Sequence, residues 1–125
     1  MARVACIEQE KDRETMKVGT MTPWGAADHV EKLAEGIWWV STPGHGGIGL
    51  SPARALHMPV GFETASTDGA GRWYEEDCAW ALVAITFPEA FPQEERHTEP
   101  PVEYAKGLAV RYFPELAVEI AEVLA

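Results

Sequence analysis

The sequence predicts an α+β domain, with several helices packed on a small β-sheet. Three observations carry this. The run Ile37-Trp38-Trp39-Val40 is bulky and partly β-branched, suits a buried strand, and ends where Pro43 removes a backbone donor. A capping hydroxyl followed by proline, the mark of a helix start, occurs at Thr22-Pro23 and again at Ser51-Pro52. The chain closes on an amphipathic stretch, with Leu116, Ile120, Val123 and Leu124 facing inward and Glu115, Glu119 and Glu122 facing outward. At 125 residues, 46% of them apolar, the chain closes one hydrophobic core without metal or disulfide staples.

Taken in order, residues 1–20 read as an N-terminal arm or hairpin around the charged cluster Glu8–Glu14, and residues 21–125 as the single domain. A helix is predicted over 23–35. Thr22 would cap it, Ala26, Val30, Leu33 and Ala34 share a face, Asp28 pairs with Lys32 one turn on, and Gly36 stops it. Strand 37–42 then leads into a loop holding Gly44, Gly46, Gly47 and Gly49, with His45 among them. Glycine costs folding entropy, so four together imply positive φ or a group lying close against the backbone. The expectation is a backbone shape that other residues forbid, one that fixes the Trp-rich framework around it.

A short helix follows from Ser51-Pro52 and ends before Pro59, and residues 60–72 read as exposed turns with Asp68-Gly69 at one of them. The stretch WYEEDCAWALVAITF permits a strand, but its alanines and the acids Glu75, Glu76 and Asp77 at its start favour a buried helix. Phe87-Pro88-Glu89 and Phe113-Pro114-Glu115 carry the same local helix-start chemistry. Between them QEERHTEPP is a charged loop, and a last helix is predicted over about 114–124.

The net charge of −10 is unevenly spread. Residues 1–72 carry −2 and residues 73–125 carry −8, a field that disfavours nucleic acid and anionic lipid and favours a basic partner. No apolar run is long enough to span a membrane, and the charged N-terminus is unlike a secretory signal. Cys6 and Cys78 are too few for a disulfide framework and not spaced as a zinc site, so two reduced thiols in a cytoplasm are expected.

Thr22-Pro23-Trp24-Gly25, Gly36-Ile37, Ser41-Thr42-Pro43-Gly44-His45-Gly46-Gly47-Ile48 and Trp73-Tyr74-Glu75-Glu76-Asp77-Cys78 occur in that order before Phe87-Pro88. This pattern, over about residues 22–91, resembles a family of uncharacterised domains found in phage and bacterial mobile-element proteins. The resemblance implies a setting, genes acting inside a bacterial host cell, and no mechanism. Residues 1–20 and 92–125 lie outside it, and the strongly acidic tail half reads as an addition particular to this chain.

Four kinds of chemistry are open to these residues. A metal or hydrolytic site would use His45 and the cluster Glu75-Glu76-Asp77-Cys78, with His29 or His57 as further ligands, but no HExxH or CxxC spacing is present. No metal or cofactor is therefore assigned. An anion cradle would use the amides of Gly46, Gly47 and Gly49 ahead of the Ser51 helix, with Arg54 in its first turn. Nucleophilic catalysis would need Ser41, Ser51 or Cys78 activated by His45. An interaction surface would combine the glycine loop (Gly44, His45, Gly46, Gly47) and exposed tryptophans such as Trp24 and Trp73 with the acids Glu94, Glu95 and Glu99, although at least three of the five tryptophans are expected in the core.

The favoured function is a small acidic phage or mobile-element protein that binds and inhibits a basic host protein, for instance a defence-system nuclease, by occlusion or charge mimicry. The alternatives are a hydrolase-like enzyme built on His45 and the 75–77 acids, and a structural domain joining larger phage proteins.

Overall fold

A computed structural model of the chain describes residues 15–92 and 101–125. Its strands are β1 (Met21–Thr22), β2 (Gly25–Ala26), β3 (His29–Ala34), β4 (Ile37–Ser41), β5 (Gly46–Leu50) and β6 (Trp73–Glu75). Its α-helices are α1 (Pro52–Leu56), α2 (Trp80–Thr86), α3 (Pro101–Tyr112) and α4 (Ala117–Leu124). Single 3-10 turns occur at Phe62–Ala65, Pro88–Ala90 and Pro114–Leu116. The α+β class expected from the sequence is the class observed.

β3, β4, β5 and β6 form an antiparallel sheet in that order, and β1 and β2 form a separate two-stranded ribbon. The Trp-rich segment is the strand its residues favour, flanked on both sides: Trp38 pairs with Lys32 on β3 and with Gly49 on β5, and Gly49 pairs in turn with Trp73 on β6. Glu35 and Gly36 make the β3–β4 turn, where Gly36 has φ +81°. Pro43 and Gly44 make the β4–β5 turn, closed by the Thr42 N–H donating to the His45 carbonyl at 2.8 Å.

Because side chains alternate across a strand, this register sorts the residues onto two faces. On one face Ile37, Ile48, Leu50 and Tyr74 pack with Phe62, with Leu82 and Ile85 of α2, with Ala105 and Ala109 of α3, and with Phe113 and Ile120. That is the main core. On the other face Trp38, Val40 and Trp73 pack with Met16 and Ala27, and Trp24 and Val30 cover them.

The predicted helix over 23–35 does not form. Its capping hydroxyl is used differently: Thr22 Oγ1 accepts from the Trp24 N–H at 3.1 Å and donates to the Gly25 carbonyl at 2.7 Å, which makes a tight β1–β2 turn. Gly25 has φ +120°, outside any right-handed helix. Residues 29–34 become an edge strand because β4 has an unpaired side that they satisfy, and tertiary pairing outweighs the helical spacing. Lys32 pairs with Glu35 at 2.6 Å, not with Asp28.

The glycines also correct an expectation. Gly46, Gly47 and Gly49 belong to the fully buried strand β5, not to a loop, and none of the four has positive φ. What they supply is close approach. A Cβ on Gly49 would meet Trp73 Cζ3 at 2.6 Å and Met16 Cε at 2.7 Å. One on Gly47 would meet the Tyr74 carbonyl oxygen and Trp24 Cη2, the latter at 2.7 Å. The bare strand is the seat on which the aromatic layer lies.

Elsewhere the short Ser51 helix forms as predicted, with Ser51 Oγ accepting from the Arg54 N–H at 3.2 Å. The stretch after Arg72 divides: Trp73–Glu75 is strand and only Trp80–Thr86 is α-helix. The final helix is α4 after its 3-10 turn. α3 was missed, since Gly107 in its middle and the prolines ahead of it mask its periodicity. Of the expected arm, residues 1–14 lie outside the described residues. Residues 15–20 lie against the domain, with Met16 buried and the Gly19 N–H donating to the Ala27 carbonyl at 2.8 Å. The loop residues 93–100 lie outside the described residues.

Candidate functional site

Several residues singled out in the sequence meet at one end of the sheet, where the β1–β2 ribbon, the β4–β5 turn and the chain leaving β6 converge. Thr42 ties this end together. Its hydroxyl accepts from the His45 N–H at 3.2 Å, and its one proton faces two carbonyl acceptors, that of His45 at 2.7 Å and that of Trp24 at 3.2 Å. The Glu76 N–H donates to the Gly46 carbonyl at 2.9 Å. Trp24, Gly44, His45, Gly46 and Glu76 are thereby neighbours, although far apart in sequence.

The imidazole of His45 is exposed, and among the described residues it has no hydrogen bond or ion pair with Glu75, Glu76 or Asp77. Glu75 faces a different task. Its carboxylate accepts from the N–H groups of Asp77 at 2.6 Å, Cys78 at 3.0 Å and Ala79 at 2.9 Å, holding the turn that leads into α2. Burial alone would raise its pKa, but these three donors and the Cys78 thiol outweigh that and hold the carboxyl below the ordinary glutamate value. The Cys78 thiol is pushed up to about 11, first by burial and then by the Glu75 carboxylate it donates to. A thiol so placed stays protonated at neutral pH and is a poor nucleophile.

Among the described residues no three His, Cys, Asp or Glu side chains converge to hold a metal ion. His29 lies on β3 opposite Ser41, and His57 follows α1. Gly46, Gly47 and Gly49 are paired within the sheet between β4 and β6, so they do not form a free loop around an anion. Arg54 turns away from them: its Nε donates to the Glu35 carbonyl at 2.8 Å, and its guanidinium lies 4.8 Å from the centre of the Phe87 ring.

Trp38 and Trp73 are buried, whereas Trp24, Trp39 and Trp80 are half-buried against the core, so two of the five tryptophans are fully inside and none stands free. Trp24 meets Trp73 edge-on, with ring centres 5.9 Å apart. Trp73 therefore supports the patch from beneath and does not present a face to solvent. Glu94, Glu95 and Glu99 lie outside the described residues.

Two features escaped the sequence reading. α3 exposes Tyr104, Val110 and Tyr112, with Tyr104 stacked on Trp80 at 6.3 Å. A cleft of about 240 Å³ lies between α1 and the Ala70-Gly71 turn, with the buried Tyr74 behind its wall. Its only sequence signal was the apolar turn Leu56-His57-Met58-Pro59-Val60, too short to rank as an element.

The architecture defines a class: an antiparallel four-stranded sheet with helices on one face and an aromatic layer seated on glycines on the other. Residues 17–122 match the domain of unknown function DUF7007, and the chain belongs to that family. No curated protein and no solved structure matches it. The family domain extends past the expected limit at residue 91, so the acidic C-terminal helices are part of it and not an addition particular to this chain.

Proposed function

We propose that this is a small acidic binding protein of phage or mobile-element origin that engages and inhibits a basic host protein in the bacterial cytoplasm, a defence-system nuclease being the concrete candidate. The observation that carries the reading is uncompensated surface charge. Among the described residues the ion pairs are Lys32–Glu35, Lys106–Glu103 and a long Arg54–Glu89 contact at 3.9 Å. The exposed acids Glu76, Asp77, Glu115 and Glu122 have no basic partner among them. A surface of one sign attracts its opposite and accelerates encounter, in a manner that salt weakens. No described helix is long and apolar enough to cross a membrane, which agrees with a protein acting in solution.

The test is capture from bacterial lysate at low and high salt, compared with a variant carrying Glu115→Lys and Glu122→Lys together with Glu94→Lys, Glu95→Lys and Glu99→Lys. A basic protein recovered at low salt, released by salt and lost with the variant supports the reading. Recovery of the same protein by the variant, or recovery that salt does not weaken, overturns it.

A further inference from the structure

Trp38, Gly49 and Trp73 are directly paired across β4, β5 and β6, so the two indoles project from one face of the sheet on either side of a residue without a side chain. Met16 leans over that residue, its Cε 2.7 Å from where a Cβ would stand. Beside this group lies a cavity of about 160 Å³, walled by Met16, Met21, Trp38 and Trp73 and lined also by Thr20 and Arg72. No lining residue is acidic, and Arg72 carries the one formal charge. On a chain of net charge −10 that is a local reversal of sign.

The polar groups here are donors. Arg72 Nε donates to the Leu50 carbonyl at 2.9 Å, which fixes the plane of the guanidinium. Its two terminal nitrogens have no hydrogen bond or ion pair among the described residues. Arg54, by contrast, is spent on the Glu35 carbonyl, the Phe87 ring and Glu89. The Thr20 hydroxyl accepts from the Lys17 N–H at 2.9 Å and keeps its proton to give. The indole N–H groups of Trp38 and Trp73 have no partner among the described residues either. Neither is shut off from solvent, since the one buried polar side-chain atom there without a partner is the Tyr74 hydroxyl, on the helical face.

The free end of a guanidinium matches the two oxygens of a planar carboxylate. The thioether and indole walls suit a compact apolar body, and an apolar cavity of about 150 Å³ takes one the size of benzene. Phosphate fits poorly, because its extra charge and oxygens would be left against Met16 and Met21 without donors.

We propose that this cavity binds a small free monocarboxylic acid, its carboxylate on the Arg72 guanidinium and its apolar body between the methionines and the two indoles. The assignment goes beyond the reading of a basic protein partner and does not rest on it, because the two ligands carry opposite charge and meet different surfaces.

Benzoate, benzyl alcohol, inorganic phosphate and the peptide acetyl-Ala-Ala-Phe with a free C-terminus are titrated into the full chain, with backbone amide and indole N–H signals followed by NMR. Benzoate is expected to bind about tenfold tighter than benzyl alcohol, from its charge-assisted hydrogen bonds, and to shift the indole signals of Trp38 and Trp73. Arg72→Gln should lower benzoate to the level of benzyl alcohol while leaving benzyl alcohol unchanged, which a loss of fold would not do. Met21 is 71% exposed, so Met21→Trp fills the cavity from its rim without disturbing the core. It should abolish binding of both ring compounds with an unchanged melting temperature, and it carries the test if Arg72→Gln does not fold. Benzoate binding no tighter than benzyl alcohol, or benzoate affinity unchanged in either folded variant, overturns the proposal. Phosphate binding as tightly as benzoate overturns the carboxylate, and the peptide binding as tightly overturns the free acid in favour of a chain terminus.

Discussion

The two faces of the four-stranded sheet bury apolar surface by opposite means. On the helical face large side chains meet large side chains: Ile48, Leu50 and Tyr74 against Phe62, Leu82 and Ile85. On the other face Trp24, Trp73 and Met16 rest on bare backbone at Gly47 and Gly49. The helical face can absorb a lost methylene by small shifts of many neighbours, whereas the glycine face has no room for one added carbon. The contrast teaches where the chain is intolerant, and alanine substitutions at the glycines are the sharpest way to break it.

Gly47→Ala carries the largest expected effect. The new methyl would strike the Tyr74 carbonyl oxygen and stand 2.8 Å from the Glu75 Cα, both backbone of the paired strand β6, so relief requires the sheet to part. A loss of about 3 kcal/mol or more is expected in urea unfolding, at the upper end for overpacked cores. Gly49→Ala should cost less, about 1–3 kcal/mol, because two of its three closest contacts are to the flexible end of Met16. On the helical face Ile48→Val, which removes one carbon next to these two sites, should cost only about 1 kcal/mol. If Gly47→Ala proves no more costly than Ile48→Val, the glycines are not the seat of the aromatic layer.

Glu75 joins the two faces, since it ends β6 and holds the turn into α2. Its carboxyl has a folded pKa below the unfolded value, so the stability it contributes is fully present above about pH 4.5 and is lost as pH falls through the lower folded value. Glu75→Gln keeps one neutral oxygen for the Cys78 and Ala79 N–H groups and sets an amide NH2, a donor, against the Asp77 N–H. It should cost about 1 kcal/mol at pH 7 and flatten the acid limb of a plot of stability against pH. An acid limb unchanged in the variant would show that other carboxylates govern it.

How much of this was legible in the sequence depends on which residues decide each element. β4 was plain because Trp38, Trp39 and Val40 act through intrinsic strand preference, and α1 was plain because Ser51 caps it locally. The 23–35 stretch misled because its local signals were genuine but served another structure: Thr22 caps a hairpin turn, and β4 needs a strand beside it. The β5 glycines read as a loop because the sequence shows only that they lack side chains; the rings that occupy the space come from residues 24 and 73. Of the candidate site, the nearness of Trp24, His45 and Glu76 follows from the ribbon closing on the β4–β5 turn, which no local pattern encodes. The Tyr74 cleft was invisible for the same reason. A buried hydroxyl without a partner is a property of packing and not of spacing.

Gly107 offers the same substitution as Gly47 with the opposite sign. It sits inside α3, exposed, and a Cβ there would have nothing within 4 Å. Alanine at this position removes backbone freedom from the unfolded chain and adds no clash, so Gly107→Ala should stabilise by about 0.5–1 kcal/mol, a rise of a few degrees in melting temperature. The pair isolates the cause: one methyl, added in each case to a glycine with ordinary negative φ, is harmful where rings and strands press on the backbone and helpful where solvent does. Destabilisation at Gly107 would instead mean that something covers this face of α3, and that its exposed neighbours Tyr104 and Val110 belong to a contact surface.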